Sequence, residues 1–200
     1  MDFSRKDLDF TGVKVLVIGD VMLDSNWTGV SSRISPEAPV QVVNIAGQSH
    51  RPGGAANVAL NAKSLGAEVH LVGFVGDDDN ATILKSLLLS DDISCHFETV
   101  DSAKTITKLR VMARSQQLIR LDFEGAFDQA DYSELQASCE VLAKNCDVVV
   151  LSDYAKGTLK KIELLIQTFR SLDKPIVIDP KGLDFNRYKG ATILTPNLPE

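Results

Sequence analysis

Short segments rich in β-branched residues alternate with longer amphipathic segments, and this alternation limits the chain to few architectures. The first short segment, 13–18, reads Val-Lys-Val-Leu-Val-Ile and predicts a buried strand. Similar segments follow at 68–75, 148–152, 176–179 and 191–195. Near-continuous apolar strands separated by helices indicate a parallel sheet that is covered on both faces, with right-handed crossovers. The alternation therefore predicts a layered α/β body.

The intervening segments carry apolar residues at three- and four-residue spacing, which is typical of helices packed on one face. Helices are predicted at 55–65, 79–90, 133–144 and 158–172. Gly66 follows the first helix and is placed to end it. Because 44% of the 200 residues are apolar, the chain can bury the core of one domain or of a large part of one.

Two regions, 26–45 and 94–123, interrupt this rhythm with alternating apolar and polar residues. Such alternation predicts antiparallel strands with one buried and one solvated face. A small β layer next to an α/β body could form a lid over the strand ends, where open parallel sheets bind ligands. A sheet that forms a dimer interface, or an insertion with no role in binding, would show the same pattern. A lid that also pairs between subunits would satisfy both the lid and the dimer interpretation.

Charge and apolar patterning exclude several classes of partner. The net charge is −6 and the 21 lysines and arginines are dispersed, so we expect neither nucleic acid nor an anionic membrane as a partner. The longest apolar runs, such as 148–151, are too short to span a membrane, and 1–5 lacks the apolar region of a secretory signal. We therefore expect a cytoplasmic protein.

The cysteines, Cys95, Cys139 and Cys146, are odd in number and show no Cys-x-x-Cys spacing. This argues against a disulfide framework and favours reduced, mostly buried thiols. A metal site at Cys95 and His96 is disfavoured, because adjacent residues of a strand point to opposite faces.

The segment 51–57, Arg-Pro-Gly-Gly-Ala-Ala-Asn, is a diglycine turn that opens a helix. Glycines let the backbone approach a ligand closely, and a helix start offers unpaired N–H groups with a partial positive charge. Anionic or hydroxyl-rich ligands suit such a turn. The alternative is a tight turn with no ligand.

Polar residues gather where the predicted strands end. Asp20 and Asp24 follow the first strand, and further polar segments follow at 152–157, 179–182 and 195–200. The carboxyl ends of parallel strands meet at one sheet edge, where ligands bind.

Each of these polar residues has a candidate role at that edge. Asp24, Asn57, Gly53 and Gly54 together describe a polyol pocket. Lys156 and Lys181 could neutralise phosphate oxygens, while Asn197 and Glu200 could hold hydrated Mg²⁺. Taken singly, Asp153 and Asp179 could equally cap helices or turns, the lysines could be solvated, and Asn197 could be a turn residue.

Three motifs resemble those of the ribokinase family of sugar kinases, also called the PfkB family. The segment Gly19-Asp20-Val21-Met22-Leu23-Asp24 resembles the family's first-strand motif. The segment 52–57 resembles its diglycine signature, and the segment 197–200 resembles its Asn-x-x-Glu element. Further stretches at 32–40, 105–110, 116–122, 151–157 and 179–182 are most similar to the members that phosphorylate D-glycero-β-D-manno-heptose 7-phosphate at O1 in lipopolysaccharide core synthesis.

The resemblance implies a ribokinase-like three-layer α/β/α sandwich with a β-sheet lid, ATP and Mg²⁺ as cofactors, a sugar phosphate as substrate, and a homodimer formed through the lid. The implied substrate-binding residues are Asp24, Gly53, Gly54, Asn57, Arg110, Asp153 and Lys156. The implied nucleotide-side residues are Lys181, Asn197, Leu198, Pro199 and Glu200, with Glu200 near the metal. Arg33, Arg110, Arg120 and Lys181 are the further candidates for contacts to phosphate groups.

The family takes the hydroxyl proton with an aspartate in a Gly-Ala-Gly-Asp motif, which does not occur in this sequence. The segment 125–128, Gly-Ala-Phe-Asp, precedes the Asn-x-x-Glu element and is interpreted as a connection. We therefore expect residues 1–200 to be the N-terminal part of one kinase domain, with no catalytic base among them and no turnover by this polypeptide.

Three alternatives remain open. The chain could be another sugar or nucleoside kinase of the family, or a non-catalytic sugar-binding module. A nicotinamide-dependent Rossmann enzyme is disfavoured by the lack of Gly-x-Gly-x-x-Gly after the first strand.

Overall fold

A computed structural model describes residues 9–124, 127 and 130–198. The strands are β1 (Lys14–Gly19), β2 (Val21–Ile34), β3 (Gln41–Gly54), β4 (Glu68–Gly76), β5 (Ser94–Val100), β6 (Thr107–Ala113), β7 (Gln116–Phe123), β8 (Val148–Ser152), β9 (Ile176–Asp179) and β10 (Ile193–Leu194). The helices are α1 (Ala55–Ser64), α2 (Asp79–Ser90), α3 (Tyr132–Lys144), α4 (Ile162–Ser171) and the short 3-10 helix Phe185–Tyr188.

The main sheet is parallel and has the order β10-β9-β8-β1-β4-β5. Strand β1 shows why these strands are apolar at almost every position. Leu16 and Ile18 join the core under α3 and α4, whereas Val15 and Val17 join the core under α1 and α2. All four are at most 4% exposed, so both faces of the strand are buried. The predicted layered α/β sandwich is confirmed.

A second sheet, called the lid here, has the order β3-β2-β6-β7. β2 pairs antiparallel with β3 and parallel with β6, and β6 pairs antiparallel with β7. The lid is joined to the body without a linker, because a single residue separates β1 from β2 and β3 continues directly into α1. The polar residues of β2 are therefore held next to the ends of the parallel strands.

The prediction for the start of the region 94–123 was wrong. Strand β5 (Ser94–Val100) pairs in parallel with β4 and is the edge of the main sheet, and the lid strands from this region are β6 and β7. An edge strand is only half covered, so its sequence alternates as a lid strand would. The lid also extends beyond 26–45, since β2 starts at Val21 and β3 ends at Gly54.

Helix α4 starts at Ile162, four residues later than predicted. The residues predicted as its first turn belong instead to the loop after β8. In this loop Gly157 has a φ of 120°, and the Thr158 N–H donates to Asp20. That hydrogen bond binds the loop to the end of β1 and keeps these residues out of the helix.

Cys95, Cys139 and Cys146 are unpaired thiols in the structure, and Cys139 and Cys146 are buried. Burial raises the pKa of the Cys139 thiol to about 12 and that of Cys95 to about 11. Among the described residues, no cluster of three metal-ligating side chains occurs. None of the helices in the described ranges is both long and apolar enough to cross a membrane.

A histidine pair in the main sheet gives a testable pH dependence. The His70 Nδ1 lies 3.1 Å from the His96 Nε2, so one ring must be neutral for the other to donate to it. Burial and the adjacent His70 lower the pKa of His96 from 6.5. As the pH falls through 6.5, the unfolded chain binds the proton first, and stability is lost.

We therefore expect the melting temperature to fall between about pH 7 and about pH 5.5. The variant His96→Gln, which cannot titrate, should show a smaller fall, while His50→Gln serves as the matched control. Scanning calorimetry across this range is the measurement, and identical pH profiles for wild type and His96→Gln would contradict the role of the pair.

Candidate functional site

Asp20 connects the main sheet to the lid. Its carboxylate is fully buried and accepts hydrogen bonds from the backbone N–H groups of Tyr154, Lys156 and Thr158, each at 2.9 Å. Its backbone carbonyl accepts the N–H of Ala55, the first residue of α1. One aspartate thus fixes the loop after β8 and the start of α1 relative to the end of β1.

The diglycine segment lies where the end of β3 passes into α1. Gly54 has a φ of 56°, and a Cβ there would stand 2.3 Å from the Asp20 carbonyl oxygen. A Cβ on Gly53 would stand 2.5 Å from Oδ2 of Asp24. Both positions therefore require glycine. Gly54 has a backbone conformation that favours glycine and lies against the Asp20 carbonyl, whereas Gly53 leaves room for the Asp24 carboxylate.

The lid presents a charged face to this junction. Asp24 is in register with Arg51 on β3 and with Lys108 on β6, which places the three on the same face. Two residues further along β2, on the same face, Asn26 is in register with Arg110. Arg110 Nη1 donates to Asp24 Oδ1 at 2.7 Å, and both side chains are about 70% buried.

A polar cavity of about 480 Å³ lies between this face and the start of α1. Its lining residues are Met22, Asp24, Asn26, Arg51, Pro52, Gly53, Gly54, Asn57, Lys108, Arg110 and Tyr154. Asp24 is the only carboxylate among these described residues, and Asn26, Asn57 and the backbone of Gly53 and Gly54 line the same cavity. Carboxylate, amide and backbone groups together can bind several hydroxyls at once, as a sugar requires.

Of the residues predicted for substrate binding, the structure brings together Asp24, Gly53, Gly54, Asn57 and Arg110 around the cavity.

Asp153, also predicted to bind substrate, is 3% exposed and is held by protein groups. It accepts the Tyr188 hydroxyl and the Ala155 N–H, and Arg187 lies 3.7 Å away. Burial raises the pKa of the Asp153 carboxyl. In this structure Asp153 supports the loop after β8.

Lys156 is the remaining residue predicted on the substrate side. Its ammonium pairs with Glu124 Oε1 at 2.7 Å, and its backbone N–H donates to Asp20. The side chain therefore reaches toward the chain after β7, and the residue is outside the cavity lining.

The described residues among those predicted on the nucleotide side follow the ends of β9 and β10. Lys181, Asn197 and Leu198 are exposed there, at the same edge of the sheet as the cavity. Exposed polar groups at the carboxyl ends of parallel strands fit the phosphate groups of a nucleotide. Pro199 and Glu200, and the segment 125–128 apart from Phe127, lie outside the described residues.

Six lining residues were not predicted as site residues: the apolar Met22 and Pro52, and the polar Asn26, Arg51, Lys108 and Tyr154. Lys108 Nζ lies 5.8 Å from the centre of the Tyr154 ring, so the lid and the loop after β8 meet across the cavity. Each of the four polar residues had a sequence signal. Asn26 follows Asp24 at the two-residue spacing of one strand face, and the other three stand in the segments 51–57, 105–110 and 151–157 that the sequence analysis singled out. Arg33, a predicted phosphate contact, lies farther along β2 in register with Val42 and outside the lining.

Solved sugar-kinase structures share this architecture. The tetrameric inhibited form of phosphofructokinase-2 from Escherichia coli has a TM-score of 0.72 at 20% identity, over 96% of this chain and 62% of that chain. Ribokinase from Arabidopsis thaliana, complexed with ribose and ATP, has a TM-score of 0.67 at 16% identity, over 94% of this chain and 60% of that chain. The fold is therefore ribokinase-like.

Sequence similarity then identifies the family. Residues 13–200 match the model of the pfkB family carbohydrate kinases, and the chain belongs to that family.

Curated relatives are named Bifunctional protein HldE. The one from Haemophilus influenzae strain PittEE is 50% identical over 197 residues, which are 98% of this chain and 41% of the relative. The one from Methylococcus capsulatus is 53% identical over 192 residues, which are 96% of this chain and 41% of the relative. The chain thus spans about two fifths of the length of the curated relatives it matches.

Proposed function

We propose that the protein transfers the γ-phosphoryl group of ATP to O1 of D-glycero-β-D-manno-heptose 7-phosphate. The observation that carries the proposal is the cavity in which the Asp24 carboxylate, held by Arg110, faces the glycine backbone at the start of α1. This arrangement offers acceptors and donors for the hydroxyls of a sugar. Membership in the pfkB family supports a sugar-kinase activity, and 50–53% identity to HldE proteins supports the heptose as acceptor.

In this proposal Asp24, Asn26 and Asn57 orient the acceptor by hydrogen bonds. Phosphoryl transfer depends chiefly on such positioning and on neutralisation of charge. Arg110 donates to Oδ1 of Asp24 and fixes the carboxylate, so that Oδ2 can accept from a sugar hydroxyl. The O1 proton is assigned to the aspartate of the family's Gly-Ala-Gly-Asp motif, which does not occur in residues 1–200.

The proposed cofactors are ATP and Mg²⁺. Lys181 and Asn197 are the described residues that would contact the nucleotide side, and Mg²⁺ would supply charge neutralisation on the phosphates. The reaction is proposed to be cytoplasmic, since free thiols at all three cysteines fit a reducing compartment.

Calorimetric titration of the intact protein tests the choice of sugar. We expect heptose 7-phosphate to bind at least about tenfold more tightly than ribose 5-phosphate or fructose 6-phosphate, a difference of about 1.4 kcal/mol. Equal affinities for all three sugars would contradict the heptose assignment, while phosphorylation of another sugar would keep the kinase activity and change its substrate.

We further propose that the lid pairs with the lid of a second copy. Its face opposite the charged one exposes apolar side chains on β7, where Ile119, Leu121 and Phe123 are 50%, 41% and 47% exposed. Trp27 and Val111 lie in register with Ile119 on the same face. An exposed apolar face of this kind favours association, because pairing removes it from water.

The variant Leu121→Glu should then convert a dimer into a monomer, because it would bury a carboxylate without a partner in the interface. Leu89→Glu is the matched control, since Leu89 is also about half exposed but lies on α2. Sedimentation equilibrium measures the mass of each protein. A wild-type monomer, or a dimer that Leu121→Glu leaves intact, would contradict the proposed interface.

A further inference from the structure

Positive charge exceeds negative charge on the cavity face of the lid. Two rows run across the four strands: Arg51, Asp24, Lys108 and Asp122 form one, and Ser49, Asn26, Arg110 and Arg120 form the next. These rows hold four cationic and two anionic side chains. The face therefore carries two positive charges in excess.

The ion pairs show which cations are in excess. Arg110 donates to Asp24 at 2.7 Å, and Arg120 makes a two-point contact with Asp122 at 2.8 and 2.9 Å. Both carboxylates of the face are thereby occupied. Arg51 and Lys108 are left with no carboxylate within ion-pair distance in the described part of the chain.

Arg51 and Lys108 also have the required position. They lie on either side of Asp24, on β3 and β6, so their Cα atoms are separated by two strand spacings, or roughly 10 Å. Both side chains line the same cavity, and that of Lys108 is half-buried with its ammonium over the Tyr154 ring. Two long cationic side chains can converge on one anionic group from this separation.

We propose that Arg51 and Lys108 form the subsite for the phosphate monoester of the acceptor sugar. The inference rests on the proposed function and names the residues that distinguish a phosphorylated sugar from a free one. A phosphate monoester carries a charge of about −1.5 to −2 at neutral pH, which matches the two cations in excess. Arginine supplies a planar two-point contact to phosphate oxygens, and lysine supplies a compact point charge.

The other cations near the lid do not fit this role. Arg110 and Arg120 would have to release Asp24 and Asp122 to bind phosphate. Arg33 lies at the far end of β2, and Lys156 pairs with Glu124 outside the cavity.

The test compares two ligands on the wild type and four variants of the intact protein. Heptose 7-phosphate and the same heptose without phosphate are titrated into wild type, Arg51→Gln, Lys108→Gln and the double variant. Arg120→Gln is the matched control, because it removes a cation from the same face that is already paired. Circular dichroism and melting temperature establish that each variant is folded.

Each single variant should weaken binding of heptose 7-phosphate by about tenfold to a hundredfold, the loss typical of one charge-assisted contact. Affinity for the free heptose should change by less than about threefold, because its hydroxyls contact other groups. The double variant should bind the two sugars almost equally, and the preference of the wild type should weaken at high salt.

If the double variant keeps the wild-type preference for the phosphorylated sugar, the subsite is wrong while the proposed function stands. If the wild type itself shows no preference for the phosphorylated sugar, the proposed function fails together with the subsite. A loss of preference in Arg120→Gln as large as that in Lys108→Gln would also overturn the assignment, since general loss of positive charge would then explain both.

Discussion

Replacement of Asp20 by asparagine should lower the free energy of unfolding by about 3 kcal/mol, since hydrogen bonds to a charged group contribute about 1.5–3 kcal/mol each. Asparagine keeps one oxygen and presents an NH₂ group where the other oxygen stood. Oδ2 of Asp20 accepts from two N–H groups and Oδ1 from one, so the amide must leave at least one buried donor unsatisfied.

Asp147→Asn is the matched control for this loss. Asp147 also accepts a backbone N–H, that of Lys14 at 2.7 Å, but it is exposed and makes one such bond. Its replacement should cost less than about 1 kcal/mol, because water can satisfy the donor. Urea unfolding of the three proteins measures the difference, and equal midpoints for Asp20→Asn and Asp147→Asn would contradict the central role of Asp20.

The loss at Asp20 should extend to the cavity. Asp20 holds the loop that presents Tyr154 to Lys108, and it also accepts the first N–H of α1 next to Gly54. Weaker sugar binding in Asp20→Asn would therefore arise from displaced lining residues. A residue that contacts no ligand controls the shape of the site.

The body of the fold could be predicted because its strands are buried on both faces. Val15 to Ile18 are all apolar for that reason, and the same holds for the segment 148–151. Strand β5 lacked this signal, since an edge strand is half exposed and alternates in the same way as a lid strand. The assignment of β5 depended on which strand lies beside it, and a local pattern does not contain that information.

The site could be predicted only where a motif carried it. Asp24, Gly53 and Gly54 stand in segments that resemble family motifs, and the structure brings them together. Arg51 and Lys108 face the same cavity because of the cross-strand register with Asp24, which the order of residues does not show. Asp153 stands at the end of β8 as the sequence places it, but its carboxylate accepts the Tyr188 hydroxyl, a contact that no local pattern reveals, and its role in substrate binding stays a prediction.

In the intact protein, replacement of Asp24 by asparagine should reduce kcat/KM for the sugar by about 10²–10³-fold, the effect of weakening hydrogen bonds to two sugar hydroxyls. Asparagine retains an oxygen for Arg110, so the lid should remain folded. The KM for ATP should change little, because Asp24 lies on the lid and the predicted nucleotide residues lie at β9 and β10. Asp122→Asn is the matched control, since Asp122 is ion-paired on the same lid face but outside the cavity lining.

In the intact protein, Gly53→Ala should reduce kcat/KM for the sugar by a comparable factor, although it leaves the Asp24 carboxylate chemically unchanged. The new Cβ would stand 2.5 Å from Asp24 Oδ2, so the carboxylate must move away from the position that Arg110 fixes. Steady-state kinetics with varied sugar and varied ATP separate the two sides of the site. Wild-type kcat/KM in a folded Gly53→Ala protein would show that catalysis with the sugar does not depend on this placement of Asp24.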